Sequence, residues 1–467
     1  MTATPAFACY RERIAAALAG GAHFAGLHAT SDGAFVRTLL AGDDGALWLE
    51  TVATEEGHAP SIVDLVPASG WDEREAHDLQ GIRFAGHEPL RPLVDHDPRL
   101  EHWTVPIRGD DAYQVAVGPV HAGIIESGHF RFHVVGDRIL HLDARLFYKH
   151  RGLEHAAEGA SLTDGLAYAS RVCAGCNVTN GVAYAHACEE ALGLVPTAEL
   201  SRVRTILLEL ERMWNHLNDI SAICAGVSLA AGTSSFAALA ERARRLNADL
   251  TGHRFLFGSV RVGGSDLTLD EDAVRAARDE IRRLRTESSR SWRELLFNAS
   301  FQDRLPDIGI VTEAAAERLG AVGPAARAAG VSRDVRATSP RLAYGSFEVA
   351  VPHRRPMGDV QARLEQRALE LLQTYAILEQ LLDRPVRVAS AEGGEGEQPI
   401  GIGRVESPRG ATSCIVERAG DRVARLRFRT GSYANWPVLA HSAVDNLLPD
   451  FPLINKSFEL CYACVDR

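Results

Sequence analysis

The sequence predicts an α+β chain in two parts: a small N-terminal α+β domain over residues 1–105, and a mainly α-helical domain with peripheral antiparallel strands over residues 106–467. Three observations predict it. Helical and strand-like segments alternate over the first 95 residues. Strand patterns then flank a turn at Gly136-Asp137. Beyond Arg151, apolar residues recur at three- and four-residue spacing over long stretches.

Taken in order, AFACYRERIAAAL (6–18) carries apolar residues at helical spacing. GALWLETVAT (45–54) and APSIVDLVP (59–67) read as strands split by turn residues. WDEREAHD (71–78) reads as a short charged helix. GIRFAGHEPLRPLVDHDPRL, with its three prolines, reads as an extended exit, and the domain boundary falls near 95–110. DAYQVAVGPV, HFRFHVVG and RILHLDARL follow as strands, the last two joined by the Gly-Asp turn. The strongest helix spans 197–225, where Val203, Ile206, Leu207, Leu210, Met213, Trp214, Leu217 and Ile220 form one apolar stripe. Thr197 is its expected N-cap and Gly226 closes it. Further helices are expected over 236–250, 271–296 and 358–382. The segment 410–430 reads as a hairpin turning at Ala419-Gly420-Asp421.

The chain has 467 residues with 50 Lys+Arg against 61 Asp+Glu, a formal charge of −11. That balance argues against a nucleic-acid partner, which calls for a basic face. With 46% hydrophobic residues a large core forms without disulfide staples. No apolar run reaches the roughly 18 residues that span a bilayer, so no membrane-spanning segment is expected. The first residues lack the cationic head and long apolar centre of a signal peptide. The expectation is a cytoplasmic chain that meets a membrane through partners.

Eight cysteines are too few for a disulfide scaffold. Cys9, Cys188, Cys224 and Cys414 stand alone. The others form two C-x-x-C pairs, Cys173/Cys176 and Cys461/Cys464, 285 positions apart. Four thiolates suit a soft metal, and by spacing alone a structural four-Cys zinc site is the commonest outcome. A zinc ribbon, however, brings its pairs within about 15–20 residues. Here one pair lies in mid-domain and the other within the last seven residues, which points to an interior site that pins a chain end into the fold.

RVCAGC (171–176) with CYACVDR (461–467) resembles the paired cysteine motifs of the large subunit of NiFe hydrogenases. GPVHAGIIESGHFRF (118–132), LFYKHRGLEH (146–155), ESPRG (406–410) and RTGSYANWP (429–437) lie in the order that family shows. The type it resembles is the energy-converting, formate-hydrogenlyase and hydrogenase-four kind, related to the quinone-site subunit of respiratory complex I. The segment 71–93, starting WDEREAHD, resembles the small peripheral-arm subunit of complex I, which that type carries fused. The resemblance thus covers nearly the whole chain.

The resemblance implies a catalytic subunit of a membrane-associated hydrogenase, interconverting protons plus electrons with hydrogen. Cys173 and Cys461 would be terminal nickel ligands. Cys176 and Cys464 would bridge nickel to an iron carrying CO and cyanide. Arg409 would reach over the metals, Cys461 or Arg409 would take the first proton, and Glu126 would relay it. Ser432 would hydrogen-bond a cyanide. Glu154 matches an acid beside a second metal, magnesium or another iron. His216 and Asp219, one turn apart on the long helix, either continue a proton path or form a satisfied helix pair. The four remaining cysteines are too scattered for a cluster, so electrons must leave to another chain. The implied partners are an iron–sulfur small subunit with a 4Fe–4S cluster, ion-translocating membrane subunits on the inner face of the cell membrane, and maturation proteins.

Four positions depart from the family pattern: Asn180 stands where a histidine is usual, Ala174-Gly175 replaces Gly-Ile, Gly431 replaces Pro, and Glu459-Leu460 replaces Asp-Pro. Loss of the histidine, which hydrogen-bonds a bridging sulfur, should alter the metal's electronics. Ending at Arg467 places the chain end where maturation proteases cut relatives. Two other readings compete: a diverged complex I-like module coupling quinone or ferredoxin chemistry to ion pumping without hydrogen turnover, and a structural zinc scaffold.

Overall fold

The structure, a computed structural model, describes residues 5–96, 99–109, 111–121, 126–349, 353, 355–394 and 396–467. Part of the GPVHAGIIESGHFRF segment, residues 122–125, lies outside the described residues; Glu126 lies within them.

Helix α1 (Pro5–Ala19) turns Phe7, Tyr10 and Ile14 onto an antiparallel sheet of β1 (His23–Ala29), β2 (Phe35–Ala41) and β3 (Leu47–Ala53), in that order. Leu27, Val36, Val52, Ile62 and Phe84 complete this small core. The first two strands carry His, Gly, Arg and Thr among their apolar residues, so their alternation is faint in the sequence. The expected strand over APSIVDLVP is corrected: only β4 (His58–Pro60) is a strand, paired in parallel with β5 (Arg83–Ala85). The physical reason is a buried carboxylate. Glu73 accepts 2.8 Å hydrogen bonds from Ser61 Oγ and from the Ile62 N–H, which diverts that backbone from a ladder. Glu73 lies on α2 (Gly70–Gln80), the expected charged helix, whose Asp72, Glu73 and Glu75 are all buried.

Next comes an antiparallel sheet of β6 (Ala112–Val117), β7 (His129–Val135) and β8 (Arg138–Arg145), with the turn at Gly136-Asp137. The helical body holds α3 (Asn177–Ala191), α4 (Ala198–Gly226), α5 (Ala230–Thr251), α6 (Glu271–Leu296) and α7 (Val360–Leu381). Thr197 caps α4 as expected, accepting from the Leu200 N–H; Asp270 and Asp359 cap α6 and α7 in the same way. A second antiparallel sheet of β9 (Ile400–Ser407), β10 (Gly410–Ala419) and β11 (Arg422–Arg429) lies against α3. The approach is so close that a Cβ at Gly401 or Gly403 would fall 1.9 Å from the Ala187 or Ala183 carbonyl oxygen. Helices α8 (Gly431–Ala443), α9 (Phe451–Phe458) and α10 (Ala463–Asp466) finish the chain.

Two apolar cores meet in this large domain. One is built from α3 to α7 and takes in Cys173, Cys176 and Cys464. The other packs β7 and β8 against α8 and α9, and takes in Tyr462 and Val465. The chain end therefore threads the seam between them. No helix among the described residues is long and apolar enough to cross a membrane.

Candidate metal centre

The two C-x-x-C pairs converge. The Sγ atoms of Cys173, Cys176, Cys461 and Cys464 all lie within 4.8 Å of one another, the one metal-ligating cluster of His, Cys, Asp and Glu among the described residues. The first pair closes through a single 3-10 turn, Ala174–Cys176, in which the Cys176 N–H donates to the Cys173 carbonyl at 3.3 Å. That turn puts residues i and i+3 on one side and leads into α3. The second pair follows Glu459, which ends α9 in the left-handed region at φ 50°, so the chain reverses before Cys461. Cys464 then lies on α10.

Packing four thiols together redistributes their protons. The Cys461 thiol is driven well below its ordinary value because Cys173, Cys176 and Cys464 donate to it and Arg409 lies close. Cys176 and Cys464 are driven up, chiefly by the same sharing with Cys173. A buried, mutually hydrogen-bonded thiol set of this kind fits a thiophilic metal, which would replace the shared protons.

Arg409 is buried and held from three sides. Its Nε donates to the Glu459 carbonyl at 2.9 Å, Nη2 to Asp219 Oδ1 at 3.0 Å, and Nη1 to Asn215 Oδ1. Asn215 also donates from Nδ2 to the Gly175 carbonyl at 2.9 Å, tying the arginine to the first cysteine turn. One turn earlier, Glu211 accepts from the N–H groups of Val178 and Thr179 at the start of α3. Burial lifts its carboxyl to about 7. Glu211, Asn215 and Asp219 thus form a polar line at four-residue spacing along α4. Of the three, Asp219 stands out in the sequence through its pairing with His216; the four-residue spacing inside an apolar helix is the signal for the other two. His216 is fully buried between two acids: Nε2 lies 3.0 Å from Glu370 Oε2, and Nδ1, which has no hydrogen-bond partner, lies 3.8 Å from Asp219 Oδ2.

The C-terminal cysteines hang from α8 and from Glu126. Ser432 Oγ accepts the Cys461 N–H at 3.0 Å, and Thr430 Oγ1 donates to the Cys464 carbonyl at 3.1 Å. Glu126 Oε2 accepts the Ala463 N–H at 2.6 Å, which places this half-buried carboxylate beside the cage; burial raises it above the usual range. Asn180, one turn beyond Cys176 on α3, is wholly buried and neither of its amide atoms has a hydrogen-bond partner. An orphaned amide at this depth calls for a ligand.

Glu154 has other company than the expected second metal. Its Oε1 accepts from Arg467 Nε at 2.5 Å and from the Phe428 N–H at 2.8 Å, and Arg427 lies 3.6 Å from Oε2. Two guanidiniums already neutralise this carboxylate, and it belongs to no metal-ligating cluster among the described residues. In this structure its partners are therefore arginines of β11 and the chain's last turn.

Against this geometry, the family of the respiratory-chain NADH dehydrogenase 49 Kd subunit matches residues 229–393 and 390–467, and that of the 30 Kd subunit matches residues 31–115. Formate hydrogenlyase subunit 5 of Escherichia coli (strain K12) is 31% identical over 439 residues, covering 87% of this chain and 77% of that protein. Hydrogenase-4 component G of the same organism is also 31% identical, covering 87% and 76%. A solved chain of the membrane-bound sulfane sulfur reductase, an archaeal respiratory membrane complex, aligns with a TM-score of 0.70 at 27% identity. It covers 78% of this chain and 100% of its own length.

Proposed function

Because the chain belongs to the family of energy-converting hydrogenase large subunits with a fused complex I-like N-terminal unit, we propose that it is the catalytic subunit of a NiFe hydrogenase. The observation that carries this reading is the buried cage of four thiols beneath a fixed arginine. Cys173, Cys176, Cys461 and Cys464 would together hold the nickel and iron. When bound, this pair, its iron carrying CO and cyanide, supplies the two-electron chemistry that links hydrogen to protons.

The chain's own residues do the rest. Cys461, whose sulfur lies with the other three in the cage and whose loop is held by Glu126 at Ala463, is the first proton acceptor. Glu126 receives that proton: its carboxyl is poised above the usual range and its Oε2 is hydrogen-bonded within the cysteine loop, at Ala463. Arg409 cannot act as a base. Burial alone would loosen its proton, but Asp219 and the charge on the cage sulfurs outweigh that and hold it firmly. Its part is to present fixed N–H dipoles and positive charge. Ser432 keeps its own O–H free to donate after accepting from Cys461, which suits a cyanide nitrogen. The orphaned Asn180 amide would donate toward the cage in place of the usual histidine. Electrons leave to an iron–sulfur small subunit with a 4Fe–4S cluster, because Cys9, Cys188, Cys224 and Cys414 are scattered. Ion-translocating subunits would hold the assembly on the inner membrane face.

The test is isotope exchange between deuterium gas and water by the complex purified anaerobically from its host. Wild-type complex is expected to exchange. Glu126→Gln is expected to lower the rate by about 10²–10⁴-fold with nickel content unchanged, the usual worth of a placed proton-transfer group. An unaltered rate in Glu126→Gln contradicts the relay. Absence of exchange in nickel-free wild type favours the second reading, a redox module without hydrogen turnover. Asn180 and Glu459-Leu460 speak for that alternative.

A further inference from the structure

We propose that the N-terminal unit is a working part of the metal site: the carboxylates of α2 hold in place the segment that carries Cys461 and Cys464. The inference goes beyond hydrogen chemistry and rests only on the four-thiol site, whatever metal it takes.

Buried charges gather where the two parts of the chain meet. On the side of the large domain, Arg427, Arg429 and Arg467 are all buried, and Glu154 is the carboxylate of that domain that faces them. Arg425, on the same strand β11, is occupied by Glu158 at 3.1 Å. Under the N-terminal unit these three positive charges are buried, and the large domain offers them one carboxylate, so two would lack partners without further acids, a costly condition in a folded protein. Helix α2 supplies the missing two negative charges. Asp72 lies 3.2 Å from Arg429 Nε and 3.5 Å from Arg427 Nη2. Glu75 accepts from both Arg427 and Arg467, the latter at 2.5 Å.

Arg467 is the hinge of this arrangement. Glu75 of the N-terminal unit and Glu154 of the large domain share its guanidinium. It stacks 4.8 Å from the centre of the Tyr433 ring, with Arg427 on the same ring at 5.5 Å and the Trp71 edge from α2 at 5.6 Å. Tyr433 is close in sequence to Ser432 and Thr430, the two residues that hold Cys461 and Cys464 by their backbone. A second anchor reinforces the seat: Asp466 accepts from the Phe147 and Lys149 N–H groups at 2.7 and 2.9 Å. The path from α2 to the second cysteine pair is therefore one ion pair, one ring and two hydrogen bonds. Glu75 is a positioning residue in this scheme, since it touches no sulfur.

The test uses amide hydrogen exchange of residues 460–467 in the full chain within its complex, with Glu75→Gln, Arg467→Met and the double variant. Each single change leaves a buried charge unpaired, so exchange over 460–467 is expected to quicken by about 100-fold or more. The double change removes both partners, and exchange is expected to return at least about tenfold toward wild type. Protection of β1 to β3 reports whether the N-terminal unit stays folded. Should Glu75→Gln unfold it, Arg467→Met decides, because it alters no residue of that unit. Unchanged exchange in Arg467→Met, or a double variant no better than both singles, would overturn the proposal. A complex isolated with zinc would count against the hydrogenase reading and leave this test intact.

Discussion

Cys461→Ser is expected to leave a folded chain without a stable metal centre: nickel affinity reduced by more than about 100-fold, and hydrogen turnover below detection. Outer-shell changes around metal ligands already lower affinity or activity by about 10–100-fold, so loss of a ligand exceeds that range. The effect is specific to this cysteine. The other three thiols donate to it and Arg409 lies close, which lowers its thiol well below the ordinary value. A serine hydroxyl stays protonated and is a hard oxygen, so it offers neither the charge nor the polarisable donor that a thiophilic metal needs. The backbone consequences are small, because Ser432 and Glu126 hold the loop through the N–H groups of Cys461 and Ala463. Cys188→Ser serves as the comparison. That thiol is fully buried, more so than the half-buried Cys461, but lies outside the cage, so it should alter stability and spare nickel. Elemental analysis of both variants, purified in complex, reads the difference.

Arg409→Lys is expected to retain nickel and to lose about 10²–10³-fold in turnover, the range seen when one fixed donor to a reacting group is removed. Arginine makes three directed contacts here, to Glu459, Asn215 and Asp219. A lysine ammonium keeps the charge but is a compact, mobile point that cannot hold all three at once. Asn215 would then lose one partner and keep the Gly175 carbonyl, so the first cysteine turn stays closed. Unchanged nickel with reduced rate separates this role from simple ligation. Equal loss of nickel and rate would show that Arg409 acts by assembling the cage instead.

Much of the site is legible in the amino-acid sequence, and the reasons differ from residue to residue. The cysteine pairs stand out by spacing, because i and i+3 in a tight turn face one point. That they meet across 285 positions follows from the placing of one pair at the chain end and from the family resemblance, not from local pattern. Glu126, Arg409 and Ser432 are reached through motifs, and each lies at the cage or its supports. The motif that points to Glu154 gives its address but not its partners. Only the fold reveals that Arg467 and Arg427 reach it first. The strand expected over APSIVDLVP fails for a similar cause: a carboxylate from the next helix, Glu73, takes its backbone N–H. The charged stretch WDEREAHD reads as a short helix, and its composition gives no sign that it is buried. Its burial depends on arginines some 350 positions later, beyond the reach of any local pattern. Glu211 and Asn215 are visible in principle as polar breaks in an apolar stripe. Their meaning comes only with the loop they face.

The central claim is that the four-thiol cage holds nickel with iron. Elemental analysis of the complex, purified anaerobically from its own host, tests it most directly. The predicted result is about one nickel per chain, with iron in excess of what the partner's clusters require, and infrared bands of CO and cyanide on the same sample. Zinc without nickel, or a fully assembled complex without metal at this site, would contradict it.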